Sequence, residues 1–132
     1  MRTTADTNLL VRAITGDHEV QTPIAQAALA RADLVALPLV ALSELVWTLS
    51  RGYRLKRVRI AEAIRFLVDS ENVIVDRAVV HAGLTLLDAG GDFADGVIAY
   101  QGELLGGDTF VSFDRDAVRQ ISQLGGRARL LS

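Results

Sequence analysis

The side chains of this sequence that could carry out chemistry are acids at the starts of predicted helices. Asp6 ends a first strand-like run and Asp114 ends the run TFVSF, while Asp92 and Asp95 open the helical run FADGVIAY. Each fits a helix N-cap, whose side-chain oxygen accepts a backbone N–H, and Asp92 and Asp95 have the spacing of a capping-box variant. Caps that follow parallel strands collect at one sheet edge in any case. Position alone therefore leaves a structural and a catalytic interpretation open.

Glu44 favours the catalytic interpretation. It lies in the run LVALSELVWTL, which has apolar side chains on all sides of a helical wheel and is expected to be mostly buried. A carboxylate in such a helix is costly unless it is neutralised or hydrogen-bonded, and no Lys or Arg lies within one turn. A bound cation or a distant arginine would neutralise the buried carboxylate.

Carboxylates gathered from these segments would repel each other, and some would hold protons at neutral pH. A hard divalent cation removes the conflict, and Mg²⁺ prefers oxygen ligands. The chain has no cysteine and two histidines, which argues against a thiolate or zinc site. Metal ions of this kind activate water and offset charge on a leaving oxygen in phosphodiester hydrolysis, and a carboxylate can accept the water's proton.

Short strands that alternate with helices must position these acids. The predicted strands are RTTAD (2–6), DLVAL (33–37), NVIVD (72–76), TFVSF (109–113) and ARLL (128–131). The predicted helices cover 8–15, 19–32, 38–51, 56–69, 77–88, 93–105 and 115–123. This order predicts crossover connections and a mainly parallel sheet, with the site beyond the carboxyl ends of the strands.

The bulk composition fits one globular domain over residues 1–132. Half of the residues are hydrophobic, which excludes a disordered chain. The most apolar segment, 34–42, is too short to cross a membrane. The N-terminal residues lack an apolar signal core, so we expect a cytoplasmic protein.

A basic run could contact phosphate, although the net charge is −2. It comprises Arg51, Arg54, Lys56, Arg57 and Arg59. The alternative is a solvated loop and helix start, where charged side chains usually lie.

Four blocks of the sequence together carry a family resemblance. They are, in order, ADTNLLVR, LSELVWTL, DFADGVIAY and SFDRDA. The chain resembles PIN-domain ribonucleases over nearly its whole length, and specifically VapC-type toxins of type II (VapBC) toxin–antitoxin pairs. The resemblance implies a three-layer α/β/α PIN domain with a mainly parallel central sheet of four to five strands. It also implies a Mg²⁺-dependent endoribonuclease, with Mn²⁺ as an alternative metal.

The resemblance further implies the residues of the site. The metal ligands and catalytic acids are Asp6, Glu44, Asp95 and Asp114. Asp116 is a substitute for Asp114, and the accessory residues are Asp92, Asn8 and Ser112. Many relatives have Ala at the position of Gly96, and a glycine within a helix costs about 1 kcal/mol.

The partners that the resemblance implies are an RNA substrate, a second copy of the chain in a homodimer, and a cognate VapB-type antitoxin that blocks the acidic pocket. Arg51, Arg54, Lys56 and Arg57 are candidate RNA contacts. The apolar third helix and the basic stretch 51–59 are candidate protein contacts.

Three other functions compete with this interpretation. A phosphoacceptor or phosphatase α/β domain needs a late lysine or a second aspartate two residues after the first, but the only lysine is Lys56 and that position holds Asn8. A catalytically silent PIN-fold binding module would have lost its acids, and none is missing. A DNA-directed flap nuclease has helical insertions for which this chain has little room.

Overall fold

The protein, described by a computed structural model of residues 1–132, forms two compact units. We call Met1–Asp76 the N-terminal unit and Arg77–Ser132 the C-terminal unit. The single domain expected over the whole chain stays a prediction. None of the helices combines the length and hydropathy that a membrane-spanning helix requires.

The N-terminal unit is built on three parallel strands. Its elements are β1 (Arg2–Thr4), α1 (Thr7–Thr15), α2 (Gln21–Arg31), β2 (Leu34–Ala36), α3 (Leu39–Arg51), α4 (Arg57–Val68) and β3 (Val73–Ile74). The strand order is β1-β2-β3, with Thr3 opposite Val35 and Val35 opposite Val73. Because β2 is the central strand, Val35 is fully buried. Two residues after the end of β1, Asp6 is the N-cap of α1.

Helical periodicity explains the core of the N-terminal unit. Apolar residues three and four positions apart share one face of a helix, and Leu42, Leu45 and Leu49 of α3 are fully buried in this way. Ile60 and Ile64 do the same on α4. The face of α3 that packs inward is therefore fixed by its leucines.

The C-terminal unit begins with a helical pair and ends with two parallel strands. Its elements are α5 (Arg77–Asp88), α6 (Phe93–Leu104), β4 (Phe110–Ser112), α7 (Arg115–Gln123) and β5 (Ala128–Leu130). Val111 lies opposite Arg129 in the β4-β5 pair. Asp114 follows β4 and begins α7.

Two glycines let α5 and α6 approach closely. A Cβ atom at Gly96 would lie 2.5 Å from the Ala82 carbonyl oxygen, and one at Gly83 would lie 2.6 Å from the Phe93 ring. Phe93 is fully buried. The absence of side chains at these two positions therefore fixes the first turn of α6, which carries Asp95.

The predicted α/β class and parallel strands are confirmed. All seven helices and five strands occur where the sequence patterns place them. The strands are shorter than predicted, because only some of the predicted residues pair with a neighbouring strand. The strands are hydrogen-bonded as one set of three and one set of two, where the prediction had one sheet of four to five.

The expectation that α3 is mostly buried is wrong. Val40 and Trp47 are 71% and 65% exposed, and Glu44 between them is exposed as well. One face of the helix is covered by packing, and these residues lie on the other.

Candidate metal-binding carboxylates

Asp6 is both a helix cap and a candidate metal ligand. Its backbone is extended and its Oδ1 accepts the Leu9 N–H at 2.9 Å. The N-cap interpretation is therefore confirmed. The bond uses one carboxylate oxygen and leaves Oδ2, on an exposed side chain, to accept a further contact.

Glu44 is exposed and hydrogen-bonded, which corrects the argument from burial. The hydroxyl Oγ1 of Thr7 donates to Glu44 Oε1 at 3.0 Å. No uncompensated buried charge exists at this position, so burial gives no reason for a cation there. However, Thr7 directly follows Asp6, so the bond brings Glu44 on α3 next to the start of α1.

Asp95 is the acid with the least favourable surroundings. It lies half-buried in the first turn of α6. Burial raises the pKa of Asp95 above its ordinary value of 3.8, and the negative charges of Asp92 and Asp114 raise it further. No basic side chain is among the groups that shift it. The ionised form of Asp95 is therefore destabilised in a way that a cation would relieve.

Asp92 and Asp114 cap helices through one oxygen each. Asp92 Oδ1 accepts the Ala94 N–H at 3.1 Å, and Asp114 Oδ1 accepts the N–H groups of Asp116 and Ala117 at 3.0 and 3.1 Å. The capping-box variant is not formed. The Asp92 side chain accepts the Ala94 N–H, and the Asp95 side chain accepts no hydrogen bond from the backbone of Asp92. Asp95 is thus not used to cap its helix.

The geometry favours Asp114 over Asp116 as the fourth acid. Asp116 already accepts a 2.8 Å hydrogen bond from Arg119 Nη1 in an exposed ion pair, and only Asp114 contributes to the shift of Asp95. Ser112 Oγ accepts the Asp114 N–H at 2.9 Å, so it shapes the turn before α7. Asn8 is exposed on α1.

The predicted acids fall into two groups by unit. Asp6 and Glu44 are linked through Thr7 in the N-terminal unit, and Asp92, Asp95 and Asp114 interact in the C-terminal unit. Within neither unit do three acidic or histidine side chains come close enough to hold a metal ion. The four-carboxylate site stays a prediction. The donors nevertheless fit Mg²⁺, since all are oxygens and each capping aspartate keeps one uncommitted.

The sequence patterns did not indicate three residues that help to position the acids, namely Thr7, Gly83 and Gly96. A hydroxyl residue directly after a strand-end acid is a signal that could have identified Thr7. The glycines act through a contact between helices, and no local pattern reports such a contact.

The basic residues lie on the surface of the N-terminal unit. Arg51, Arg54, Lys56 and Arg57 are all exposed, and Arg57 already interacts with another group of the protein. Arg54 and Lys56, together with Arg59, line a groove of about 1370 Å³. Ile14, Leu29 and Phe66 are among its apolar lining.

The family model of the PIN domain matches residues 4–123. The chain therefore belongs to the PIN domain family, whose members are generally metal-dependent nucleases. Comparison with curated proteins gives no match.

Proposed function

We propose that this PIN domain is a Mg²⁺-dependent endoribonuclease that hydrolyses phosphodiester bonds of RNA. The observation that carries the proposal is the position of Asp95, half-buried beside two further carboxylates with no basic side chain among the groups that shift its pKa. A structural ion pair would have provided a basic partner. A metal-binding site requires its acids to remain unpaired until the metal arrives.

Asp6, Glu44, Asp95 and Asp114 are the proposed ligands of Mg²⁺, with Mn²⁺ as an alternative. When bound, the metal lowers the pKa of an attacking water and offsets charge on the leaving oxygen. The protein itself orients the carboxylate oxygens that would bind the metal. The backbone N–H groups at the starts of α1 and α7 hold Oδ1 of Asp6 and Asp114, which fixes the direction of each Oδ2.

The test of this function is cleavage of end-labelled RNA by the purified protein with Mg²⁺, with Mn²⁺ and with EDTA. We expect internal cuts with either metal and none with EDTA. Single-stranded DNA of the same sequence should be cut far more slowly. RNA binding without cleavage would identify a silent binding module. Hydrolysis of p-nitrophenyl phosphate without RNA cleavage would identify a phosphatase.

We further propose that the protein is a VapC-type toxin whose groove holds a segment of a VapB-type antitoxin. The charged residues of the groove are three basic side chains, Arg54, Lys56 and Arg59, and one acid, Glu62. This excess of positive charge beside an apolar lining suits an amphipathic helix with acidic residues on one side. Phe66 is 82% exposed there.

Co-expression with the antitoxin encoded beside the gene tests this partner. Phe66→Glu should abolish co-purification, because it places a charge in the apolar lining. Phe113→Glu changes a similarly exposed phenylalanine (76%) outside the groove and should leave co-purification intact. Loss with both variants, or with neither, would contradict the proposed groove.

A homodimer is proposed through Val40 and Trp47 on α3, in an arrangement that leaves Glu44 between them open to the metal. Val40 and Trp47 leave apolar surface on the exposed face of α3, and exposed apolar patches commonly mark interfaces. Trp47→Glu should convert a dimer to a monomer in sedimentation velocity. A monomeric wild-type protein at the same concentration would contradict this assignment.

A further inference from the structure

Thr7 joins the two acids of the N-terminal unit. It is the first residue of α1, directly after Asp6, and its half-buried hydroxyl donates to Glu44 Oε1 at 3.0 Å. The two residues are 37 positions apart in the sequence. The bond is therefore a tertiary contact between α1 and α3 and not a product of local helix geometry.

The bond constrains a side chain that would otherwise be mobile. Glu44 is exposed on a helix surface, where a long side chain samples several rotamers and loses entropy when it is ordered. The Thr7 hydroxyl engages Oε1 alone and leaves Oε2 to accept another contact. Part of the ordering that a ligand to Glu44 requires is then already present in the free protein.

The donor to Glu44 is a neutral hydroxyl and not a charged group. A neutral hydroxyl orients a carboxylate without neutralising it, whereas a guanidinium forms an ion pair. Asp116 illustrates the second case, since its Oδ1 is paired with Arg119 at 2.8 Å. The bond from Thr7 to Glu44 belongs to the first case, since its donor is neutral, and it forms no ion pair that would compete with a divalent cation for the carboxylate.

The first turn of α1 holds both acids in the same manner. Asp6 accepts the Leu9 N–H through one oxygen, and Glu44 accepts the Thr7 hydroxyl through one oxygen. Each is left with one uncommitted oxygen. Leu9 and Thr7 are two residues apart, so a single helical turn orients both its own N-cap, Asp6, and Glu44 of α3.

We propose that Thr7 is a positioning residue that orders Glu44 for metal binding before the metal arrives. The proposal rests on the proposed function, because it takes Glu44 to be a metal ligand. Hydrogen bonds to ligands typically change metal affinity by about 10- to 100-fold. A single neutral donor at an exposed acceptor should lie near the lower end of this range.

Calorimetric titration of the metal-free protein with Mn²⁺ tests the proposal. Thr7→Val removes the hydroxyl but keeps the branched shape, and it should weaken Mn²⁺ binding about 10-fold. Thr7→Ser restores a hydroxyl and should stay within about twofold of wild type. Thr85→Val is the matched control, because it removes a threonine hydroxyl that bonds only the His81 carbonyl within α5. It should leave the affinity unchanged.

The same substitution in a Glu44→Gln background separates positioning from stability. If Thr7 acts through Glu44, Thr7→Val has no further effect on Mn²⁺ affinity once the carboxylate is gone. An equal loss in both backgrounds, or a serine variant as weak as the valine variant, would overturn the proposal. Melting temperatures of all variants without metal show whether any loss merely follows from lower stability.

A measurement without metal distinguishes failure of this proposal from failure of the proposed function. Side-chain scalar couplings of Glu44, measured by NMR in the metal-free protein, should report one dominant rotamer in the wild type and averaging in Thr7→Val. Equal averaging in both proteins overturns the role of Thr7, whatever the metal result. An ordered Glu44 in a protein that binds no Mn²⁺ would instead refute the metal site while supporting the ordering by Thr7.

Discussion

In the N-terminal unit, Asp6 and Glu44 each accept a hydrogen bond from a neutral donor, and in the C-terminal unit Asp95 is half-buried beside two negative charges. Both arrangements leave the acids without a basic partner, but their energetic consequences differ. The first pair is oriented at little electrostatic cost. The second group carries repulsion that only a proton or a cation can remove. For the proposed metal ligands, the comparison predicts that the acids of the C-terminal unit would gain from relief of repulsion and those of the N-terminal unit from orientation.

The largest effect should follow from removing the charge of Asp95. Asp95→Asn should lower the rate of RNA cleavage by about 10²-fold or more, as for other groups that act directly on reacting charge. Asp116→Asn is the matched control, because Asp116 is already paired with Arg119, and its rate should stay near that of wild type. Cleavage rates under single-turnover conditions measure both. A comparable loss with Asp116→Asn would contradict the choice of Asp114 over Asp116 as the fourth acid.

The second effect concerns the close packing of α6 against α5 at Gly96, the residue next to Asp95. Gly96→Ala should destabilise the protein by about 1–3 kcal/mol, because the new methyl group meets the backbone of α5. Gly102→Ala in the same helix meets nothing within 4 Å and should stabilise it by up to about 1 kcal/mol. Urea unfolding measures both values. An alanine tolerated at Gly96 would show that α5 and α6 do not depend on this close approach.

The third effect is stabilisation by metal. Mg²⁺ at ten times its dissociation constant should stabilise the native state by about 1.4 kcal/mol, since it binds the folded chain alone. The melting temperature of the wild type should rise with Mg²⁺ and return with EDTA, and Asp95→Asn should lose most of the rise. A wild type that shows no shift at millimolar Mg²⁺ would refute a shared metal.

The smallest effect is a change in melting temperature with pH, which tests the repulsion at Asp95 in the absence of metal. Because the pKa of Asp95 is raised, the folded state loses stability as pH rises from 3.8 through the folded-state pKa. Asp95→Asn should therefore melt about 1–3 °C higher than wild type at pH 7, a small gain because solvent screens the half-exposed group. The two proteins should converge at pH 3. A lower melting temperature for the variant at pH 7 would show that the Asp95 charge is stabilising.

Much of the fold follows from the sequence because local signals agree with each other. Acids that end strand-like runs cap the next helices at Asp6, Asp92 and Asp114, as their positions predict. Helical periodicity also selects the leucines of α3 that are buried. The exposure of Glu44 did not follow, because Val40 and Trp47 make the opposite face of the helix look like a core face.

The remaining features depend on contacts between distant segments. The bond from Thr7 to Glu44 and the approach of Gly96 to Ala82 each require knowledge of which helices are neighbours. No periodicity within one helix contains that information. The joining of all four acids in one metal-binding site also stays a prediction.

The one-oxygen caps at Asp6, Asp92 and Asp114 constrain how this protein could lose the proposed activity. Asparagine keeps an oxygen that accepts the same backbone N–H groups, and serine or threonine serves nearly as well, whereas alanine leaves a helix start unsatisfied. A descendant that kept the fold but abandoned catalysis would therefore retain small polar residues at these positions. Its sequence would still resemble that of an enzyme after the charges had gone.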